Sequence, residues 1–304
     1  MKGLVLAGGT GGRLAPCTDY VNKHFLHVYD RPLIYFPISQ LLLLNCREIY
    51  FVCNSEDIHL FERLVNSLRD LGIKSDYVVQ CQKGLGLPSA ILSARELIGN
   101  SRFCTILGDN FITGNHINQS LLQVMTQSTE CICFTKKVAE PQNFGVLVRD
   151  EEGEPTRLIE KPTKPLTNEA VIGLYAFPEQ SFDIFEKCQL SSRGETEIVD
   201  VLNSFLSLER LKALQLPRGV FWMDAGTPEN LFNCSEFLRT IHSKQLEQIG
   251  CIEEIVIEKG FKPRDLSEVH KGVSQRPSVY NSYVKSVIEQ LKSDEPYEKN
   301  FFDS

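Results

Sequence analysis

Residues 4–13, LVLAGGTGGR, run a short apolar segment straight into four glycines and an arginine. An apolar run this short, with no polar alternation, reads as a strand buried on both faces, the kind found in a parallel sheet covered by helices. Gly8, Gly9, Gly11 and Gly12 carry no Cβ, so their N–H groups can close tightly around phosphate oxygens. Arg13 adds a permanent, forked charge suited to phosphate, and Lys23 follows ten residues later. On the loop alone three readings stay open. A P-loop would close with Gly-Lys-Ser/Thr, whereas Arg13 and Leu14 follow Gly12. A dinucleotide fingerprint would have a third glycine where Leu14 stands, and Pro16 interrupts any helix there. The third reading is a plain glycine-rich turn after a core strand.

The same strand-then-helix rhythm continues through the first half. Residues 4–7, 49–53, 77–79 and 104–107 read as buried strands, followed by helices at 33–44, 58–71, 90–98 and 117–126. This predicts a parallel sheet with crossover helices on both faces. Ligands of such sheets gather beyond the carboxyl ends of the strands, which places 8–13, 80–86 and 108–110 along one rim. The second half is β-rich, with strands at 131–136, 145–148, 156–159, 170–177, 211–216 and 220–223. A helix starts at Pro228, with Thr227 as N-cap, and runs to about 246; another spans 279–291. Residues 1–250 are expected to share one core, with 251–304 as a helical extension.

Charge narrows the partners. The 304 residues carry a net charge of -7, which argues against a nucleic-acid backbone as the main partner. An acidic protein that handles phosphate must gather positive charge locally or recruit a metal. Ten cysteines contain no C-x-x-C pair, and several sit in apolar runs, as free thiols in a reducing compartment would. Residue 1 leads directly into a strand, leaving no room for a signal peptide, and the 41–44 leucine run is too short to span a bilayer. The expectation is a cytoplasmic protein with no membrane partner.

Two aspartates fall where strands of the sheet are expected to end: Asp109 after CTIL and Gly108, Asp224 after VFWM. Such carboxylates suit Mg²⁺, which takes one or two of them plus phosphate oxygens. Each alone reads equally well as a cap of a strand end or turn. Glu160 and Glu195, in IEKP and RGETE, are possible acceptors for sugar hydroxyls, although solvated charge is the plainer reading.

The stretch LAGGTGGRLAP…NKHFLHVYDRPLIYFP resembles the opening of the sugar-1-phosphate nucleotidyltransferases, most nearly the glucose-1-phosphate thymidylyltransferase group. The likeness continues in order through LGDN, the Phe-Gly-Val of 144–146, IEKP, AVIGLYAF, RGETEIVDVLN and WMDAGTPENL. It implies an α/β, Rossmann-like, three-layer αβα fold. The sheet would be mixed and mainly parallel, with residues 1–130 as a nucleotide half, 131–250 as a β-rich sugar-phosphate half, and a helical C-terminal tail. The implied reaction is nucleotidyl transfer from dTTP to a sugar-1-phosphate such as glucose-1-phosphate, with Mg²⁺ as cofactor and pyrophosphate as co-product. The resemblance assigns Leu6, Ala7, Gly8, Gly9, Gly11, Arg13, Gln80, Gly86 and Asp109 to the nucleotide. It gives Arg13, Lys23 and Asp109 catalytic roles and makes Asp109 and Asp224 the metal ligands. Gly145, Glu160, Lys161, Val171 and Glu195 would line the sugar-phosphate pocket, and the tail would support a homotetramer.

Several positions depart from the family pattern. Gly12 replaces a threonine, His24 a glutamine and His27 a proline, with His27 expected to pack; Pro88 and Ser89 replace an Ala-Gln pair. The alternatives are the same transfer with UTP, CTP or another sugar-1-phosphate, or a non-catalytic nucleotide-sugar-binding relative. Nicotinamide-dependent oxidoreduction fails on the broken fingerprint.

Overall fold

Along β1 (Lys2–Leu6), Leu4 and Leu6 face one core while Val5 and the following Ala7 face another. This period-two alternation with apolar residues on both sides is what a strand covered on two faces requires. The structure is a computed structural model and describes residues 1–80, 84–114, 128–245, 248–261 and 278–292. A short hairpin, β2 (His27–Val28) and β3 (Arg31–Pro32), leads into α1 (Tyr35–Leu43), β4 (Glu48–Cys53), α2 (Ile58–Asp70) and β5 (Lys74–Val79). Then come α3 (Leu87–Ser93), α4 (Arg95–Ile98), β6 (Phe103–Leu107) and β7 (Asn110–Thr113). The second half supplies β8 (Cys131–Lys137), β9 (Gly145–Arg149), β10 (Pro155–Glu160), β11 (Glu169–Phe177), α5 (Phe182–Phe185) and α6 (Ile198–Ser207). It closes with β12 (Leu211–Gln215), β13 (Phe221–Asp224), α7 (Pro228–His242), α8 (Ile252–Glu258) and α9 (Val279–Lys292).

The main sheet runs β10-β9-β11-β6-β1-β4-β5, with β8 paired to β11 and β12 paired to β8. Strands β6, β1, β4 and β5 are parallel, β11 is antiparallel to β6, and β12 is parallel to β8. The expected mixed, mainly parallel α/β sheet is therefore present, with helices over it. Helix α2 lays Phe61, Leu64, Val65 and Leu68 on the core, the spacing of one helical face. Ile252, Ile255 and Val256 of α8 join that same core.

Some elements differ from the sequence reading. The helix expected over 90–98 is two, broken at Ala94, and the strand expected from Tyr77 begins at Lys74. Helix α7 ends at His242, α5 and α6 were not foreseen, and α8 lies in the expected helical extension. The strand leading to Asp224 does not join the main sheet. It pairs with β7 in a separate two-stranded ribbon. The expected helix at 117–126 lies outside the described residues.

Aromatic packing anchors that ribbon. Phe111 of β7 is fully buried, with ring centroids 4.5 Å from Phe36, 5.6 Å from Phe221 and 5.9 Å from Phe237. Phe111→Ala should cost about 3–5 kcal/mol of stability, read as a lowered denaturant midpoint.

Candidate active site

The loop after β1 turns at Gly11, whose φ of 70° is one that a side chain would oppose. A short 3₁₀ turn then carries Arg13 outward into solvent. Gly8 and Gly9 are needed for close approach. A Cβ on Gly8 would lie 2.7 Å from the Gln80 carboxamide, and one on Gly9 would lie 3.0 Å from Lys23 Nζ. A Cβ on Gly12 would meet nothing within 4 Å, so the missing threonine leaves the loop path unchanged. Leu6 and Ala7 are buried core residues whose backbone serves the sheet: Leu6 O accepts from Gly108 N–H and Ala7 N–H donates to Val52 O.

Lys23 opens the third 3₁₀ turn of the chain, after Gly12–Leu14 and Cys17–Asp19, and its N-cap is Asn22. Its side-chain oxygen accepts from His24 N–H at 2.9 Å, and its amide donates to Asp57 at 2.7 Å. This fixes the direction of Lys23, whose ammonium lies 2.5 Å from Asp109 Oδ2. His24 is buried beside it, with Nδ1 2.8 Å from Asn22 Oδ1. Burial and the Lys23 charge push the imidazole down to about 3, so it is neutral and packs against Gly108. His27, expected to pack, is exposed, because its two-residue strand pairs only with Arg31–Pro32.

The two aspartates meet although 115 positions separate them in the chain. In the ribbon Asp224 sits opposite Asn110, and Ala225 N–H donates to Asp109 O at 2.9 Å. Burial, then the Asp109 charge, raise the Asp224 carboxyl above its ordinary value, against the pull of Arg13. Arg13 reaches Asp224 Oδ2 at 3.4 Å. Burial also works to raise Asp109, but the Lys23 charge and hydrogen bond outweigh it and hold that carboxyl low. Two carboxylates near enough for one charge to act on the other, Asp109 buried and Asp224 half-buried, supply oxygen donors that fit a hard divalent cation. Among the described residues no group of three or more His, Cys, Asp or Glu could hold a metal. Two carboxylates leave the remaining positions to phosphate oxygens and water.

On the rim beside the glycine loop, Gln80 Nε2 donates to Gly8 O at 3.1 Å, which turns the carboxamide toward the loop. Gly86 has φ of 89° and precedes α3, where Pro88 is buried and Ser89 half-buried. Residues 81–83 of the expected 80–86 rim segment lie outside the described residues.

Gly145, Glu160 and Val171 converge. A Cβ on Gly145 would lie 3.4 Å from Glu160 Oε2, 3.8 Å from Val171 Cβ and 2.8 Å from Val199. Lys161 holds φ of 41°, an uncommon conformation for a side-chain residue, and its Nζ is 3.7 Å from Glu160. Glu195 joins through Arg193, whose guanidinium lies 3.4 Å from Glu160, 3.5 Å from Glu195 and 3.6 Å from Glu197. Burial, and secondarily Glu197, raise Glu160 against Lys161 and Arg193.

Asn110 joins the aspartate pair to the second half. Its Oδ1 accepts from Trp222 Nε1 at 2.7 Å and from Gly173 N–H at 3.2 Å, and its amide faces Asp109 Oδ1 at 3.4 Å. A cavity of about 490 Å³ extends from Lys136 and Lys137 past Phe144 and Trp222 to Asp224. Asn22, Asn110, Arg193, Trp222 and Gly226 were not singled out from sequence. Asn22 had a readable signal, an asparagine at the start of a turn. Gly226 had none: a Cβ there would lie 2.6 Å from Arg13 Nη2 and 2.7 Å from Asp224 Oδ1.

With this geometry in view, comparison with known proteins is informative. The family model described as nucleotidyl transferase matches residues 2–241. Glucose-1-phosphate thymidylyltransferase of Neisseria meningitidis is 36% identical over 96% of this chain and 100% of its own length. The enzyme of that name from Neisseria gonorrhoeae is 38% identical over 86% of this chain and 90% of its own. A crystal structure of UDP-glucose pyrophosphorylase complexed with UDP-glucose superposes with TM-score 0.70 at 26% identity, covering 79% of this chain and 98% of that one.

Gly226→Ala should displace the Arg13 guanidinium from Asp224 and cost about 1–3 kcal/mol. A crystal structure and a denaturant titration of the variant check both.

Proposed function

The chain belongs to the nucleotidyl transferase family, and we propose that it moves a nucleotidyl group from dTTP to glucose-1-phosphate, releasing pyrophosphate. One observation carries this reading beyond kinship: Lys23 on Asp109 and Arg13 on Asp224, four groups from separate stretches of chain, form one charged cluster beside the glycine loop.

The sugar-phosphate oxygen attacks the α-phosphorus in line, and the bond to pyrophosphate breaks. The nucleophile is already anionic, so no strong base is needed. The work is alignment, worth up to ~7–11 kcal/mol, and neutralisation of developing charge. Gly8, Gly9 and Gly11 let backbone N–H groups close on the triphosphate, and Arg13 and Lys23 meet its oxygens. Gln80 and Gly86 border the base, while Leu6 and Ala7 support the loop. Glu160 accepts from sugar hydroxyls, and Lys161 faces the sugar phosphate. Gly145 and Val171 leave room for the ring, and Glu195 orients Arg193. Mg²⁺ held by Asp109 and Asp224 would, when bound, screen the repulsion between the two phosphate groups.

A second reading, the same transfer with UTP, is favoured by the likeness to UDP-glucose pyrophosphorylase. The methyl that separates thymine from uracil is worth only ~1–3 kcal/mol to a pocket. A homotetramer is part of the proposal, with light scattering as its check. So is a reducing, cytoplasmic setting, which suits the buried free thiols of Cys46, Cys53, Cys104, Cys131, Cys133, Cys234 and Cys251. Among the described residues no helix is long and apolar enough to cross a membrane.

A pyrophosphate-release screen of dTTP, UTP and CTP against a panel of sugar-1-phosphates tests the reading. The dTTP and glucose-1-phosphate pair is expected to be fastest; no release with any pair overturns it. Asp109→Asn and Asp224→Asn should each lower Mg²⁺-dependent release about a thousandfold. Lys23→Ala should lower kcat about 10²–10³-fold, whereas a change confined to KM would make it a binding residue.

A further inference from the structure

Between the base-side segment and the sugar-phosphate loop the chain makes a link that none of the roles above uses. We propose that Thr196 is a positioning residue that straps these two loops together, so that the nucleotide and sugar-phosphate subsites are ordered as one unit. The substrates named in the test rest on the reading above, but the strap itself does not.

Leu85 O accepts two bonds from Thr196, from its N–H at 2.8 Å and from its hydroxyl at 2.6 Å. The same hydroxyl oxygen accepts from Ser89 N–H at 3.3 Å. Gly86, the N-cap of α3, supplies no side-chain cap, and Ser89 is the third residue of that helix. Thr196 therefore caps the helix from a distant part of the chain, doing what an N-cap side chain does locally. Gly86 and Thr196 form a parallel bridge, and a Cβ on Gly86 would lie 2.0 Å from Thr196 O. The glycine at 86 is thus required by Thr196 as well as by any ligand.

The other side of Thr196 is tied as firmly. It forms an antiparallel bridge to Leu190, and Ser191 N–H donates to Glu195 O at 2.8 Å. Ser191 Oγ donates to Glu197 at 2.9 Å, and Glu197 pairs with Arg193 at 3.6 Å. Thr196 is the middle of three short extended segments, with residues 85–86 on one flank and 190–191 on the other. A shift of the Arg193 loop toward a sugar phosphate must carry the 85–89 segment with it, because both hang on the same residue.

Thr196→Val keeps the shape and the backbone bond but removes both hydroxyl contacts, and Thr196→Ser keeps the hydroxyl. Amide hydrogen exchange of the full chain, without ligand, is expected to run about fivefold faster at Ser89 in Thr196→Val, with β1 unchanged and Thr196→Ser near wild type. Glucose-1-phosphate alone should slow exchange over 85–89 in wild type but not in Thr196→Val. In steady state Thr196→Val should raise KM for dTTP and glucose-1-phosphate together, each about fivefold, with kcat within about twofold. Unchanged exchange at Ser89, a KM rise for one substrate alone, or equal effects of the valine and serine variants would overturn the strap. A wild type that turns over no triphosphate would sink the substrate reading instead, and ligand-free exchange would still decide the strap.

Discussion

Two carboxylates pressed together out of water repel each other, and the surroundings of Asp109 and Asp224 are arranged around that repulsion. Lys23 answers one charge at 2.5 Å and Arg13 the other at 3.4 Å, so each acid has its own cation. The two acids respond differently. Asp109, gripped by a half-buried lysine, is held low, whereas Asp224, with a largely exposed arginine, is raised. A phosphate chain entering this cluster offers new partners to both cations, and a divalent cation offers one to both acids. Cations and acids are thus matched one to one, and the cluster as a whole is close to neutral until a ligand redistributes the pairs.

Holding such a cluster takes tight backbone packing. Gly108 yields to His24, Gly173 to Leu107 and Asn110, and Gly226 to Arg13 and Asp224; a Cβ at any of them would come within 2.6 Å of a neighbouring atom. These are glycines of close approach, none of them in a left-handed conformation. The freedom they give is spatial, and it lets these side chains pack directly against the backbone.

Sequence made the scaffold legible where physics is local. The alternation at 4–7 and the buried faces of α2 follow from which residues avoid water, and the tight loop at 8–12 follows from glycines after a strand. From the residues alone Asp109 and Asp224 were legible only as two isolated acids, joined only by the resemblance, because the pairing of residues 110–113 with 221–224 is a long-range register that no local pattern encodes. The misreading of 220–223 as part of the main sheet has the same origin: a short apolar strand looks alike in a sheet and in a ribbon. Of the residues expected on the sugar side, Glu160 and Glu195 were legible on their own as candidate acceptors, whereas Gly145, Lys161 and Val171 came from family resemblance alone. Glu160 and Lys161 read as ordinary surface charge until the turn at φ 41° and the Arg193 contacts appear. His27 was misjudged because exposure depends on what lies opposite a two-residue strand.

Ribbon pairing also sets when the molecule becomes competent during its own synthesis. The glycine loop, Lys23 and Asp109 leave the ribosome in the first third or so of the chain, but Asp224 and Gly226 emerge only after most of it has been made. Until then β7 has no partner strand and Asp109 has only a lysine for company. A chain ending before β13 would keep the glycine loop, Lys23 and Asp109 but would have neither the second acid nor the strand that pairs with β7.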